Sequence, residues 1–255
     1  MIKDFLSHPL TKNIPIDDPK MIPLRRRIIQ EKTFLKRIYQ SWYQKIIQAI
    51  PEGNKPIVEV GSGAGFLNES IPHLITSEVF WIVNVDLIFN AMQLPFENDS
   101  LRSIVMVDVL HHIPNVHQFF SQANRCLCSG GRMLLIEPWV TTWSSIVYQY
   151  LHHEPFLPRI ERWEFPRGGP LSGANSALPW IIFKRDKVIF EKSFPKFQIL
   201  DIQLMMPFTY LLSGGVSYRD FMPSFSYPYW IMFERWLHPW MNHLGMFAMI
   251  IIEKK

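Results

Sequence analysis

A short apolar strand that runs into a glycine-rich turn is the feature that most constrains this chain. The segment is PIVEVGSGAGF, residues 56–66, in which Gly61, Gly63 and Gly65 follow a predicted strand at Ile57–Val60. Glycine lets a turn adopt positive φ and lets a ligand approach the backbone without interference from a Cβ atom. We therefore predict a buried strand, a ligand-binding turn and a following helix at this point.

Two familiar nucleotide-binding motifs do not fit this turn. The dinucleotide fingerprint G-x-G-x-x-G needs its third glycine at position 66, where this chain has phenylalanine. A phosphate-binding P-loop needs a Gly-Lys-Ser/Thr sequence, which does not follow. The turn alone is also compatible with an ordinary strand–helix connection, so the segments after it must decide between the two interpretations.

Predicted strands and helices alternate along the rest of the chain. Strands are predicted at 74–79, 85–89, 104–109 and 132–137, then at 197–205 and 246–255. Helices are predicted at 116–127, closed by Gly130-Gly131, at 141–150 and at 179–194. Such alternation is typical of a doubly wound, mostly parallel α/β sheet.

A carboxylate is expected where the second strand ends, because a nucleoside bound over the turn needs an acceptor for its ribose hydroxyls. Glu78 lies 17 residues after Gly61, and Asp86 lies 25 residues after it. The usual separation is about 20 residues. Glu78 would end the second strand, whereas Asp86 would begin the third on the opposite edge of the sheet. We predict that Glu78 is the ribose ligand.

The first 50 residues are predicted to be a proline-punctuated loop and an amphipathic helix that cap the remaining domain, residues 51–255. They contain ten Lys or Arg against four Asp or Glu, an excess that favours either a solvated helix face or a nucleic-acid contact. Apolar residues recur at helical spacing from Leu35 to Ile50, which favours packing. Packing least explains the basic cluster Arg25–Arg27.

An aromatic segment, residues 206–245, separates the last two predicted strands and contains eleven aromatic residues. That density exceeds what a connection needs, so we predict a lid over the site, a dimer interface or a peripheral membrane contact. No apolar run is long enough to span a bilayer and no secretory signal is visible. With only two cysteines, Cys126 and Cys128, the expected location is the cytoplasm.

Four segments, taken in order, resemble class I S-adenosylmethionine-dependent methyltransferases: IVEVGSGAGFL, ITSE, NAMQLPFENDSLRSIVMVDVLHHIPN and CLCSGGRMLLIEP. The chain is most similar to the small-molecule enzymes of the UbiE type, over about residues 55–140. The resemblance implies a Rossmann-like sheet of seven strands in the order 3-2-1-4-5-7-6, with the last strand antiparallel. The two C-terminal strand predictions fit that ending.

The resemblance also implies which residues bind the cofactor S-adenosylmethionine. The first motif surrounds its methionine moiety, the segment before Leu94-Pro95-Phe96 contacts adenine, and the end of the fourth strand lies beside the methyl group. Asn90 stands where the family usually has aspartate, and an amide oxygen can still accept the adenine amino group. The predicted cofactor ligands are Glu59, Gly61, Ser62, Gly63, Gly65, Glu78, Asn90, Ala91, Asp108 and Val109.

The acceptor side is predicted from position. An oxygen nucleophile usually needs a base, and histidine has a suitable pKa. His112 follows the fourth strand, and His152 and His153, in LHHEPF, follow the fifth strand; all three are candidate bases, with Glu154 as an orienting partner. Each is equally interpreted without chemistry, as a packed histidine or a helix terminus. The predicted substrate contacts are Tyr39, Tyr43, Trp139, Asn175, Tyr218 and Arg219.

No metal site is predicted. Adjacent histidines point to different faces of a helix or strand, so His152 and His153 cannot readily chelate one ion together. The resemblance implies methyl transfer to a small, hydrophobic or aromatic metabolite. The alternatives are an RNA or protein methyltransferase, although no nucleic-acid partner is expected, and a protein that binds the cofactor without methylating anything.

Overall fold

One mixed sheet of seven strands, in the order β3-β2-β1-β4-β5-β7-β6, organises the computed structural model of this chain. The structure describes residues 8–11, 14–152, 154–164, 168–169 and 171–255. The strands are β1 Ile57–Val60, β2 Ile75–Glu78, β3 Leu87–Ile88, β4 Leu101–Val107, β5 Leu127–Pro138, β6 Phe197–Met205 and β7 Phe247–Lys254. Strands β1 to β5 pair in parallel, and β7 is antiparallel to both neighbours. The predicted strand order and the antiparallel last strand are confirmed.

Helices cover the sheet on both faces. They are α1 Met21–Glu31, α2 Thr33–Ala49, α3 Val116–Cys126, α4 Thr142–Tyr150, α5 Leu178–Trp180, α6 Lys187–Ser193, α7 Thr209–Leu212, α8 Tyr227–Trp236 and α9 Met241–Leu244. Asn115 begins α3 by accepting the Gln118 amide, and Thr141 begins α4 through a capping box with Ser144. No helix among the described residues is long and apolar enough to cross a membrane.

The predicted N-terminal helix is interrupted at Lys32, where the backbone leaves helical geometry (φ −84°, ψ 89°) between α1 and α2. The Lys32 ammonium is buried and donates to the carbonyl oxygens of Ser213, Gly215 (2.7 Å) and Tyr218 (3.0 Å). Asp220 pairs with it at 3.3 Å. A buried cation needs such partners, so the break ties the cap to the aromatic segment.

Three predictions around the glycines and prolines were wrong. The glycine turn opens only a single 3-10 turn, Leu67–Glu69, because Pro72 excludes residue 71 from helical geometry and provides no amide donor. Gly130 and Gly131 do not end α3; they lie inside β5, where the register with β4 is shifted. The helix predicted at 179–194 is divided by a π-helical turn, Ile181–Arg185.

Two apolar layers enclose the central strands, which are buried along most of their length. On one face Phe119 and Phe120 of α3 pack with Phe190 of α6, and on the other face Trp42 and Tyr43 of α2 pack with the sheet. The carboxyl ends of β1, β2, β4 and β5 therefore meet beneath the cap and the aromatic segment. In an open α/β sheet this edge is where ligands bind.

Candidate functional site

A cavity of about 450 Å³ lies at the carboxyl ends of the parallel strands. Helices α1 and α2 close one side, and Tyr210 and Val216 of the aromatic segment contribute to its roof. All ten predicted cofactor ligands line it, together with Tyr39, Tyr43 and His112 from the acceptor-side predictions. The structure therefore brings together most of the residues selected from sequence.

The glycine turn forms a cradle that side chains would fill. Gly61 and Gly63 adopt left-handed geometry, with φ of +68° and +52°. A Cβ atom at Gly61 would lie 2.8 Å from Val109 Cγ2, and one at Gly65 would lie 2.9 Å from the Tyr43 hydroxyl oxygen. Backbone strain and close approach both require glycine here, and the open backbone fits a nucleoside that lies directly against the turn.

Glu78 occupies the end of β2, directly beside this turn. Its Oε1 atom accepts the Gly63 amide at 2.7 Å, and burial raises the pKa of its carboxyl group. Asp86 instead accepts the Thr76 amide and hydroxyl at 2.8 and 2.7 Å, and it does not line the cavity. The geometry thus favours Glu78 over Asp86 as the carboxylate available to a ribose.

Glu59 is the other carboxylate beside the turn and is 2% exposed. Burial raises its pKa to about 8, with the Glu78 carboxylate contributing in the same direction. In the free protein the Glu59 side chain is therefore mostly protonated at pH 7. A cationic group that contacts it would favour ionisation.

A buried cluster of histidines and carboxylates forms the wall next to β4. The fully buried Glu137 accepts the amides of Val109 and Leu110 through Oε1, and its Oε2 lies 2.7 Å from His111 Nδ1. The other ring nitrogen of His111 lies 3.2 Å from Glu154 Oε2. Burial opposes ionisation of His111, but both carboxylates raise its pKa well above the ordinary value.

His112 is held differently from its neighbour. Its Nδ1 atom lies 2.9 Å from the Gly173 carbonyl oxygen, which can only accept, so Nδ1 carries the proton. Burial and the neighbouring His111 charge lower the pKa of His112 to about 4. The neutral ring then presents the lone pair of Nε2 to Glu154 Oε1, 3.7 Å away. Such a ring accepts a proton or binds a cation through Nε2.

Five of the remaining predicted residues do not line the cavity. Trp139 and Asn175 are buried; the Asn175 amide is used by the Leu157 backbone. His152 lies 3.8 Å from Glu154 without reaching the cavity. The hydroxyl group of Tyr218 donates to Leu151, and Arg219 lies outside the lining. His153 lies outside the described residues.

The basic cluster of α1 is occupied by contacts within the chain. Arg25 lines the cavity, Arg26 donates to the Gly65 carbonyl at 2.7 Å and pairs with Glu69, and Arg27 pairs with Glu31. Sequence reasoning had isolated the cluster without assigning it a role. Its contacts position α1 over the glycine turn, and they remove the main sequence support for a nucleic-acid surface.

Comparison with known proteins agrees with this geometry. Residues 31–169 match a family model described as a methyltransferase domain. Geranyl diphosphate C-methyltransferase of Streptomyces coelicolor, solved with Mg²⁺, geranyl diphosphate and S-adenosylhomocysteine, is 12% identical (TM-score 0.53), over 98% of this chain and 92% of that one. A Thermotoga maritima methyltransferase, described as a possible histamine N-methyltransferase, is 17% identical (TM-score 0.57), over 92% and 99%. No curated protein matches the chain.

Proposed function

This chain belongs to the methyltransferase-domain family, and we propose that it transfers a methyl group from S-adenosylmethionine to a small, hydrophobic or aromatic metabolite. Cofactor-dependent methyl transfer follows from the family; the class of acceptor is the part added here. The observation that carries it is the cavity, which holds the cofactor ligands and the aromatic rings of Tyr39, Tyr43 and Tyr210 in one enclosure. Pockets of this composition suit apolar or planar ligands.

Two further observations support a small acceptor. The arginines of α1 make contacts within the chain rather than forming an open basic surface, which disfavours the RNA alternative. Both structural neighbours are also named for small acceptors, geranyl diphosphate and histamine. The UbiE-type subgroup remains a prediction, because the matched family is broader than that group.

When bound, S-adenosylmethionine supplies an electrophilic methyl group on a sulfonium. The chain's residues would do the rest. Glu78 would accept the ribose hydroxyls, the open backbone at Gly61 and Gly63 would admit the nucleoside, and Glu59 would face the methionine moiety. The cap would exclude water and hold the acceptor oxygen or nitrogen in line with the methyl group. The acceptor proton would leave towards His112 and Glu154.

Incubation of the full chain with methyl-labelled cofactor and an extract of the source cells tests this function. We expect label in the organic-soluble, low-mass fraction. His112→Gln should lower the labelling rate by about 100-fold or more, the typical contribution of a proton-transfer group, while the affinity for S-adenosylhomocysteine persists. Label in RNA or protein would support the first alternative, and cofactor binding without any labelled product would support the second.

Cofactor binding is expected to release close to one proton at pH 7, because a Glu59 side chain with a pKa of about 8 must ionise against the cationic amino group of the methionine moiety. Affinity should therefore rise with pH and level off above about pH 8. Calorimetry in buffers of different ionisation enthalpy measures the released proton. In Glu59→Gln that release should vanish; an unchanged release would show that another group supplies the proton.

The outer face of α8 supports a proposal about partners. Tyr229, Met232 and Trp236 lie on it and are about two-thirds exposed, whereas Glu234 on the opposite side is buried and binds the amide of Thr209. Arg235 of α8 is also exposed. Exposed aromatics beside a cation favour an anionic membrane surface, where a lipid-soluble acceptor would be found.

Anionic and neutral vesicles distinguish this contact from a homodimer. We expect co-sedimentation with anionic vesicles that Trp236→Ser weakens severalfold. Trp81→Ser, at a tryptophan that is 69% exposed beyond β2, is the matched control and should have no effect. If Trp236→Ser instead converts a dimer into a monomer and vesicle binding is absent, the face is a dimer interface and the membrane proposal is wrong.

A further inference from the structure

We propose that His111, His112 and Glu154 bind a divalent transition-metal ion at the wall of the cavity, next to the acceptor. The inference rests on the proposed function for its purpose, but its geometry stands by itself. Each of the three side chains offers one ligand atom, and these atoms lie within 4.8 Å of one another. Two imidazoles and one carboxylate are a donor set that zinc and related first-row ions accept.

Both histidines are oriented as metal-binding histidines usually are. Such a ring donates one N–H group to a carboxylate or a backbone carbonyl and coordinates through the other nitrogen. His111 places Nδ1 2.7 Å from Glu137 Oε2, and His112 places Nδ1 2.9 Å from the Gly173 carbonyl oxygen. In both rings this leaves Nε2 directed at the Glu154 carboxylate.

The separations of the donor atoms fit a single ion between them. Glu154 Oε2 lies 3.2 Å from His111 Nε2, and Glu154 Oε1 lies 3.7 Å from His112 Nε2. Ligands about 2.1 Å from a tetrahedral metal ion are about 3.4 Å apart. The buried His111 Nε2 atom makes no hydrogen bond of acceptable geometry, although Glu154 is near. A lone pair of His112 and a carboxylate facing each other also need a donor or a cation between them.

The local charge favours a cation as well. The carboxylates of Asp108, Glu137 and Glu154 all approach His111, at 4.0, 2.7 and 3.2 Å. One imidazolium can balance only one of these charges, and buried carboxylates are costly without compensation. A divalent ion would compensate two.

An ion held by three protein donors retains an open position for another ligand. His112 and Glu154 both line the cavity, so that position would face the acceptor. The acceptor class that follows is an oxygen nucleophile, such as a phenol or an enol, whose O–H group becomes more acidic on binding and loses its proton to water. The oxygen would then form the new bond to carbon as the carbon–sulfur bond breaks.

Titration of the metal-free full chain with Co²⁺, followed by visible absorption, tests the site without any activity assay. We expect one Co²⁺ per chain, displaced by Zn²⁺. Glu154→Gln and His112→Gln should each weaken binding by more than 10-fold, and Glu137→Gln, which only orients His111, by about 10- to 100-fold. His243→Gln, at an exposed histidine of α9, is the matched control and should bind like the wild type.

S-Adenosylhomocysteine binding is measured on the same samples, because it separates the two hypotheses and shows that the variants are folded. A wild-type chain that binds S-adenosylhomocysteine but no Co²⁺ or Zn²⁺ overturns the metal site and leaves the proposed function intact. Metal binding that survives Glu154→Gln and His112→Gln together also overturns it. A chain that binds one Co²⁺ but no S-adenosylhomocysteine supports the metal site and contradicts the proposed function.

Discussion

Replacing Glu78 with alanine is expected to weaken S-adenosylhomocysteine binding by roughly 100-fold or more, measured by calorimetry. The carboxylate ends β2 beside the glycine turn and is mostly buried. Two hydrogen bonds from ribose hydroxyls to a charged acceptor contribute about 3 kcal/mol or more. Glu78→Ala also leaves the Gly63 amide without its acceptor, so thermal unfolding must show that the variant remains folded.

Asp86→Asn is the matched control for Glu78→Ala. Asp86 is the other acid at a comparable distance along the sequence, but its Oδ2 atom accepts the Thr76 amide and hydroxyl. We expect some loss of stability and an unchanged affinity for the cofactor product. The opposite pattern, in which Asp86→Asn loses binding and Glu78→Ala retains it, would show that the ribose ligand is wrongly assigned.

Introducing arginine at Gly63 is expected to abolish cofactor binding by filling the cradle. A Cβ atom there would lie 3.5 Å from Glu78 Oε1, on the cavity side of the turn. The left-handed backbone, with φ +52°, adds about 1–2 kcal/mol of strain for any residue other than glycine. Binding by calorimetry and stability by denaturant unfolding separate the two effects.

Gly130→Arg provides the same side chain and a similar backbone strain without the cavity. Gly130 has φ +75°, and nothing lies within 4 Å of a Cβ atom placed on it. Both variants should lose similar stability, but only Gly63→Arg should lose binding. If Gly130→Arg loses binding as well, the effect of Gly63→Arg reflects general destabilisation and the cradle interpretation fails.

Sequence reasoning succeeded where the determinants are local. The apolar run Ile57–Val60, the glycines behind it and the acid that ends β2 each follow from a few neighbouring residues. Positive φ at Gly61 and Gly63 needs no distant partner to be predicted. For the same reason the strand order followed once the alternation of strands and helices matched a known family.

It failed where long-range contacts decide. The break at Lys32 depends on carbonyl groups from residues 213–218, about 180 positions away, and the helical periodicity around it gives no sign of them. Asn175 had seemed available to a substrate, but Leu157 uses its amide.

The histidine cluster shows the same limit. VLHHIPN and LHHEPF were treated as separate features, and neither contains enough donors for a metal ion. The fold places Glu154 of the second segment between His111 and His112 of the first. Only the packing of residue 154 against β4 reveals that the two segments form one cluster.

Calorimetric titration of the full chain with S-adenosylhomocysteine tests the central claim most directly, because every role assigned to the cavity depends on that ligand. The account predicts saturable binding of one molecule per chain, lost in both Glu78→Ala and Gly63→Arg and retained in Asp86→Asn and Gly130→Arg. No binding by the folded wild-type chain, or binding that both cavity variants retain, would contradict it.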